Sequence, residues 1–154
     1  MAVRAMFRGS HEAKIDDKGR LKVPSAFKAL MDAANVTQFF VTSTNGKWAE
    51  IWPLPEWEKV EQRLAKVSAL DDAVEEFLTL VNYYGQQVEM DNQGRLLLPQ
   101  VLRTKAALDG EVKVMGQTRF LAVHNREALE KALQPGGMSP ERKQRVSGYL
   151  TVPE

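Results

Sequence analysis

Six cations stand within one short stretch of the chain: Arg4, Arg8, Lys14, Lys18, Arg20 and Lys22. Lysines and arginines clustered like this can neutralise phosphates, and an arginine on a two-stranded ribbon can read guanine through a bidentate contact. The stretch sits inside a motif, Asp16-x-x-Gly19-Arg20-Leu21-x-x-Pro24, which recurs as Asp91-x-x-Gly94-Arg95-Leu96-x-x-Pro99. Residues 13–24 read AKIDDKGRLKVP and residues 88–99 read VEMDNQGRLLLP. The frame recurs but its basic surround does not. Glu89 stands where the first copy has Lys14, Gln93 where it has Lys18, and Leu97 where it has Lys22. A second echo follows each copy, FVTSTNGKWAEIW from Phe40 and VKVMGQTRFLAVH from Val112. Repetition on this scale means two copies of one supersecondary unit.

The elements that must position these residues follow from period and punctuation. His11–Asp16 and Arg20–Val23 alternate apolar and polar residues around Asp-Asp-Lys-Gly, which predicts a hairpin. Gly19 supplies the positive φ that such a turn needs. Side chains alternate faces along a strand, so Ala13, Ile15, Leu21 and Val23 share an inner face while Lys14, Asp16, Arg20 and Lys22 share the outer one. By the same parity Val88, Met90, Leu96 and Leu98 are inner, and Glu89, Asp91, Arg95 and Leu97 outer. Pro24 opens a short helix over 26–31. A second strand pair, Gln38–Thr42 and Trp48–Trp52, flanks Thr-Asn-Gly-Lys, a type I′ turn candidate.

Pro53-Leu54-Pro55 closes the first unit. Helices are predicted over 56–67 and, capped by Ser68 or Asp71, to about Tyr84. The second unit repeats the order, with a helix from Pro99 to Leu108 and strands around Val112–Val114 and Arg119–Val123. Asn125 caps a helix over 126–133. The boundaries expected are a DNA-facing unit over 1–53, a helical connector over 54–85, a second unit over 86–134 and a basic tail over 135–154.

Of 154 residues, Lys and Arg make 21 and Asp and Glu 20, so bulk charge announces no nucleic-acid binder. The absence of cysteine removes disulfides and thiolate zinc sites. No apolar run reaches the roughly 20 residues that span a bilayer, and the N-terminus shows no signal-peptide core. These features lead us to expect a soluble cytoplasmic protein. Half the chain, near 75 residues, buries too little surface to be comfortable alone, which favours two units packed together.

The tandem motif, the Phe7-Arg8-Gly9 start and the Leu54-Pro55-Glu56-Trp57 segment together resemble the MraZ family over most of the chain. The resemblance implies a mainly β fold with peripheral helices. In it, two tandem AbrB/SpoVT-like swapped-hairpin half-units form one pseudo-twofold barrel whose closure hides strand edges. It further implies a nucleoid-associated bacterial DNA-binding regulator, usually a repressor, of its own cell-division and cell-wall gene cluster. Such a regulator binds G-rich direct repeats in promoter DNA as a ring-shaped homo-oligomer, an octamer being favoured. The motif arginine matching Arg20 is the one the family associates with DNA.

From the residues themselves, Arg20 is the expected base contact, with Lys14, Lys18 and Lys22 on phosphates and Arg8 as an outlying addition. The second hairpin is expected to be mainly structural, with Asp16, Gly19, Asp91, Gly94 and Arg95 shaping the turns. A plainer role is open to both Asp–Arg pairs, which could simply bridge hairpin ends. Trp48, Trp52 and Trp57 could stack bases but read better as core or interface anchors. Neighbouring acids such as Asp16-Asp17 and Asp71-Asp72 point apart and suit turns and caps. His11 and His124 are isolated. No nucleophile, activated base or cofactor loop is present, so no enzyme, cofactor, metal, membrane or small-molecule substrate is expected. The alternative is a protein-interaction module of the AbrB-like antitoxin type, acting through the tail PERKQRVSGY.

Overall fold

A computed structural model of the chain describes residues 4–151. The first three residues of the expected first unit and the last three of the tail lie outside them. The elements run β1 (Ser10–Ile15), β2 (Arg20–Lys22), α1 (Ser25–Ala33), β3 (Gln38–Thr42), β4 (Ala49–Pro53), α2 (Leu54–Leu64) and α3 (Asp72–Tyr84). They continue β5 (Gln86–Glu89), β6 (Arg95–Leu97), α4 (Gln100–Lys105), β7 (Gly110–Gly116), β8 (Leu121–Asn125), α5 (Arg126–Ala132) and α6 (Pro140–Leu150).

All eight strands join one antiparallel sheet in the order β5-β3-β4-β8-β7-β1-β2-β6. Its two ends meet at the second motif turn, where Asp91 N donates to Arg95 O at 3.0 Å, giving a nearly closed barrel with peripheral helices. The two units trade strands. β1 pairs with β7 over six residues and β3 with β5 over four. β2 and β6 pair with each other, Leu21 facing Leu96. Both leucines are wholly buried, at the heart of a core that also holds Phe27, Phe39, Val41, Ile51, Leu98, Leu102, Val112 and Val123. At about 25 cal/mol per Å2 of apolar surface removed from water, such burial is the main term holding the barrel shut.

Strand parity is as expected: Ile15, Leu21, Val23, Val88, Leu96 and Leu98 are buried, while Lys14, Lys22, Glu89 and Leu97 are exposed. The expected hairpin is present, closed by Asp16 N to Arg20 O and Gly19 N to Asp16 O at 3.0 Å each, and it is shorter than the alternating pattern suggests. β1 and β2 share a single pair, Ile15 with Leu21. Along its other edge β1 pairs with β7 over its whole length, so Ile15 has Leu21 on one side and Gly110 on the other.

The Thr-Asn-Gly-Lys connection is also not a type I′ turn, which needs positive φ at both central residues. Gly46 has φ 72° but Asn45 is not in the left-handed region. The loop is organised by Ser43, whose Oγ accepts from Gly46 N at 2.9 Å and donates to Trp48 O at 2.6 Å. α2 starts at Leu54, two residues before the expected Glu56, because Pro55 fits the first helical turn. It ends at Leu64, leaving Val67 outside. Asp71, and not Ser68, caps α3, its carboxylate accepting from Ala73 N and Val74 N. Asn125 caps α5 through Ala128 N.

Candidate nucleic-acid interface

Each motif turn is built by its aspartate. Asp16 Oδ1 accepts from Lys18 N at 3.0 Å and Arg20 N at 2.9 Å, and Oδ2 accepts from Arg20 Nε at 2.8 Å. Asp91 does the same with Gln93 N, Arg95 N and Arg95 Nε, at 2.9, 2.9 and 2.8 Å. An aspartate that bonds its own backbone two residues on is the usual seed of such a turn. Gly19 and Gly94 follow with φ 83° and 75°. The backbone N–H of Arg20 is the largest influence on Asp16 and, with the Arg20 side chain and Lys18 N, holds its pKa below the ordinary value despite some burial. Burial is the largest influence on Asp91 and pushes its carboxyl up. The Arg95 and Gln93 bonds together outweigh it, so this pKa also lies low.

Both carboxylates are thus ionised anchors for two arginines. Anchoring through Nε fixes each guanidinium plane and leaves its two Nη groups for another acceptor. Neither Nη of Arg20 has a partner among the described residues. Arg95 Nη1 lies 3.9 Å from Asp16 Oδ2 across the unit boundary.

The structure brings the two arginines onto one surface. Arg20 faces Leu97 and Lys22 faces Arg95 on the β2–β6 ribbon, so all four side chains share the outer side. Arg20 and Arg95 side chains are 29% and 25% exposed, which gives neither an advantage in access. The separation of a basic first hairpin from a neutral second one exists along the sequence but not in space. Lys22 crosses to the second turn, where its Nζ donates to Gln93 O. The ribbon is sealed at both ends by exchanged bonds, Leu98 N to Gly19 O and Val23 N to Gly94 O, each 3.0 Å.

Two further cations belong to this surface and were not singled out by sequence reasoning. Arg103 on α4 packs its guanidinium over Gly19, and its Nε donates to Leu98 O at 2.9 Å. Lys28 on α1 lays its stem over Gly94 and pairs with Asp32 at 2.8 Å. Each stands four residues after its motif proline. Helical side chains lean toward the helix N-terminus, so a residue one turn into the helix reaches back over the turns. The shared offset, with a cation in both copies, was the signal available in the sequence.

The remaining expected residues are placed as follows. Lys18 is exposed in the first turn with no ion pair among the described residues. Lys14 lies on β1 two residues before the Asp16 turn, facing Glu111 of β7 beside the Arg126–Glu12–Glu111 cluster. Arg8 precedes β1 at the end opposite the Asp16 turn, so it is not part of the same patch. Arg4, counted among the basic stretch, is engaged by Glu56 through two bonds of 2.8 and 3.1 Å.

The aromatics are elsewhere. Trp57 is buried against Phe40 and Phe77, Trp48 stacks on His124 and Trp52 on Phe120. Trp48, His124, Trp52 and Phe120 line the β4–β8 side, separated from β2–β6 by two strands in either direction round the barrel. Among the described residues no group of three or more His, Cys, Asp or Glu is arranged to hold a metal, and no helix is long and apolar enough to cross a membrane.

A small barrel of exchanged strands, presenting paired Asp-anchored arginines on one ribbon, defines a class of protein in which the site is shared by two repeats. The family model described as "MraZ protein, putative antitoxin-like" matches residues 6–80 and again 85–144. The chain is 49% identical over 144 residues to the transcriptional regulator MraZ of Acidobacterium capsulatum, covering 94% of this chain and 99% of that one. It is 45% identical over 143 residues to the transcriptional regulator MraZ of Koribacter versatilis, covering 92% and 97%. For that of Methylococcus capsulatus the figures are 37% over 112 residues, 73% and 74%. The chain belongs to the MraZ family, with tandem AbrB/SpoVT-like units. Its members are transcriptional regulators and not enzymes.

Proposed function

We propose that this protein is a sequence-specific DNA-binding regulator that reads duplex DNA with the β2–β6 ribbon. One observation carries the proposal: Arg20 and Arg95 stand on the same two-stranded element, each held at Nε by an ionised aspartate, and neither Nη of Arg20 has a partner among the described residues. A two-stranded ribbon fits the major groove, and a guanidinium fork matches O6 and N7 of guanine. Arg20 is the leading base contact and Arg95 a second. Lys18 and Lys22 take phosphates, while Lys14, which faces Glu111, and Arg8, at the far end of β1, contribute less.

The barrel's two halves are swapped-hairpin units related by a pseudo-twofold, which is supported by the matching β1–β7 and β5–β3 pairings. In keeping with its family, the protein assembles as a ring, favouring eight subunits. In the nucleoid, that ring binds G-rich direct repeats in the promoter of its own cell-division and cell-wall cluster and represses it by occlusion. Several weak patches engaged at once give affinity that one patch of modest charge does not.

The test is fluorescence anisotropy of a duplex carrying such repeats against a scrambled duplex, over a salt series. Wild type should prefer the repeats. Arg20→Ala should lose about 1–3 kcal/mol of that preference, and Arg95→Ala a comparable share. Equal weak binding to both duplexes, unchanged by either substitution, would sink the proposal.

A further inference from the structure

We infer that α6 is a docking helix for a second copy of this chain, seated in the groove between α2 and α3 of that copy. The inference rests on the self-association proposed above and names a contact that would build it. In its own chain α6 lies on nothing: every residue of Pro140–Leu150 is exposed. Ser139 nevertheless caps it through Arg142 N, so it is a formed helix. Val146, Tyr149 and Leu150 stand at i, i+3 and i+4 on one stripe and are 43%, 68% and 80% exposed. Arg142, Lys143 and Arg145 lie one turn before them, and none is in an ion pair among the described residues. A phosphate-binding arm would need the cations alone. The apolar stripe beside them asks for an apolar seat.

Such a seat exists in the same sequence. The end of α2 and the first half of α3 enclose a groove of about 490 Å3 walled by Leu64, Val67, Val74 and Leu78. Glu61 and Glu75 stand in its lining, and neither is in an ion pair among the described residues. A third carboxylate there, Asp71, is used as the α3 cap. The groove is therefore apolar with acidic margins, and the helix is apolar with basic margins. An amphipathic helix laying i, i+3, i+4 anchors into a groove is a common recognition mode, and the charges fix its direction. Each chain carries one helix and one groove, so the contact is head-to-tail and makes a closed ring where the rotation allows.

Disulfide trapping in the full chain tests this, and the absence of native cysteine makes it clean. Val67→Cys and Tyr149→Cys are purified separately, mixed and gently oxidised. A covalent heterodimer is expected. Arg142→Glu with Arg145→Glu in the Tyr149→Cys chain should cut its yield at least tenfold, and Glu61→Arg with Glu75→Arg in the Val67→Cys chain should restore it. Absence of heterodimer, or a yield indifferent to charge reversal, overturns the inference. So does a disulfide that forms only within one chain when Val67→Cys and Tyr149→Cys are combined in a double variant, which would mean docking onto its own groove. Light scattering and DNA anisotropy on the wild type are run alongside. A defined oligomer that binds the repeats without trapping leaves the DNA proposal standing and removes this contact alone. A monomer removes self-association and this contact with it.

Discussion

Gly19 and Gly94 hold equivalent places in the two turns, yet alanine should cost them differently. Both have positive φ, 83° and 75°. An L-residue in the left-handed region costs about 1–2 kcal/mol, and alanine returns about 0.4–1 kcal/mol by narrowing the unfolded chain. The backbone share is therefore about 1 kcal/mol at either site. The side-chain share separates them. A Cβ on Gly94 would come within 3.0 Å of Lys28 Cδ and Cε, part of a flexible stem that can swing aside. A Cβ on Gly19 would stand 2.3 Å from Arg103 Cζ and 2.5 Å from its Nε, forcing the guanidinium off the Leu98 carbonyl. A hydrogen bond from a charged donor contributes about 1.5–3 kcal/mol, and the lower end suits a partly exposed site.

Gly19→Ala is then expected to destabilise the protein by about 2.5 kcal/mol and Gly94→Ala by about 1 kcal/mol. For a chain of this length the difference is roughly 3–6 °C in Tm. Urea unfolding followed by tryptophan fluorescence, to which Trp48, Trp52 and buried Trp57 all contribute, measures it. The protein concentration is held fixed, because assembly adds stability by mass action. The decisive arm is Gly19→Ala in an Arg103→Ala background, where the penalty should fall to about 1 kcal/mol. Equal losses at the two glycines, or a Gly19 penalty that ignores Arg103, would refute the clamp of one unit's turn by the other unit's helix.

Other consequences follow from the same geometry. Lys18→Ala should lower the slope of log K against log salt by about 0.9, and Lys14→Ala by much less, because Glu111 faces it; anisotropy at several salt concentrations distinguishes them. Asp16 and Asp91 have pKa values below the usual 3.8, so their stabilisation is complete above that value and is lost as the pH falls through the folded values. Urea midpoints from pH 5 to 2.5 should decline, and the double variant Asp16→Asn, Asp91→Asn should show a flatter decline. Glu50 behaves oppositely: burial is the largest influence and raises its pKa above 4.5, only partly offset by bonds from Trp52 and Thr44. The fold therefore favours its neutral form, and stability is lost as the pH rises through the folded pKa. Glu50→Gln should stabilise the protein at pH 7 with a gain that vanishes below pH 4.5; an undiminished gain at pH 4 would contradict this.

Which residues face inward was legible because a two-residue period permits only two answers, and the apolar choice at Leu21, Val23, Leu96 and Leu98 left one. Turn aspartates, caps at Asp71 and Asn125, and the helices after Pro24 and Pro99 were legible because their chemistry is local. The pairings within each unit were legible too, but the exchanged ones, β1 with β7, β3 with β5 and β2 with β6, were not. β2 is three residues long and, beyond its one pair with the neighbouring β1, carries nothing that names the distant β6 as the partner for its other edge. That choice is made by burial of Leu21 against Leu96 and by the bonds at Gly19 O and Gly94 O, which exist only once both units have closed. The Asn-Gly pair at 45–46 misled for a related reason: the Ser43 hydroxyl two residues earlier supplies acceptor and donor together and sets a wider loop.

Exchange of strands also decides what the loss of lysines in the second copy means. Read along the chain, Gln93 and Leu97 in place of Lys18 and Lys22 suggest one working copy and one scaffold. Once β2 lies against β6, Lys22 of the first copy sits at the second turn and Arg103 of the second copy sits at the first. Each turn thus keeps an arginine of its own and receives a cation from the other unit. A second full set of lysines on the same narrow ribbon would place like charges opposite one another, Lys22 already facing Arg95. Like charges directly opposite across a strand pair destabilise it. Leu97 opposite Arg20 avoids a second such pair while its apolar bulk supports the arginine stem. On the DNA-binding reading proposed above, the asymmetry is a division of charge across one ribbon.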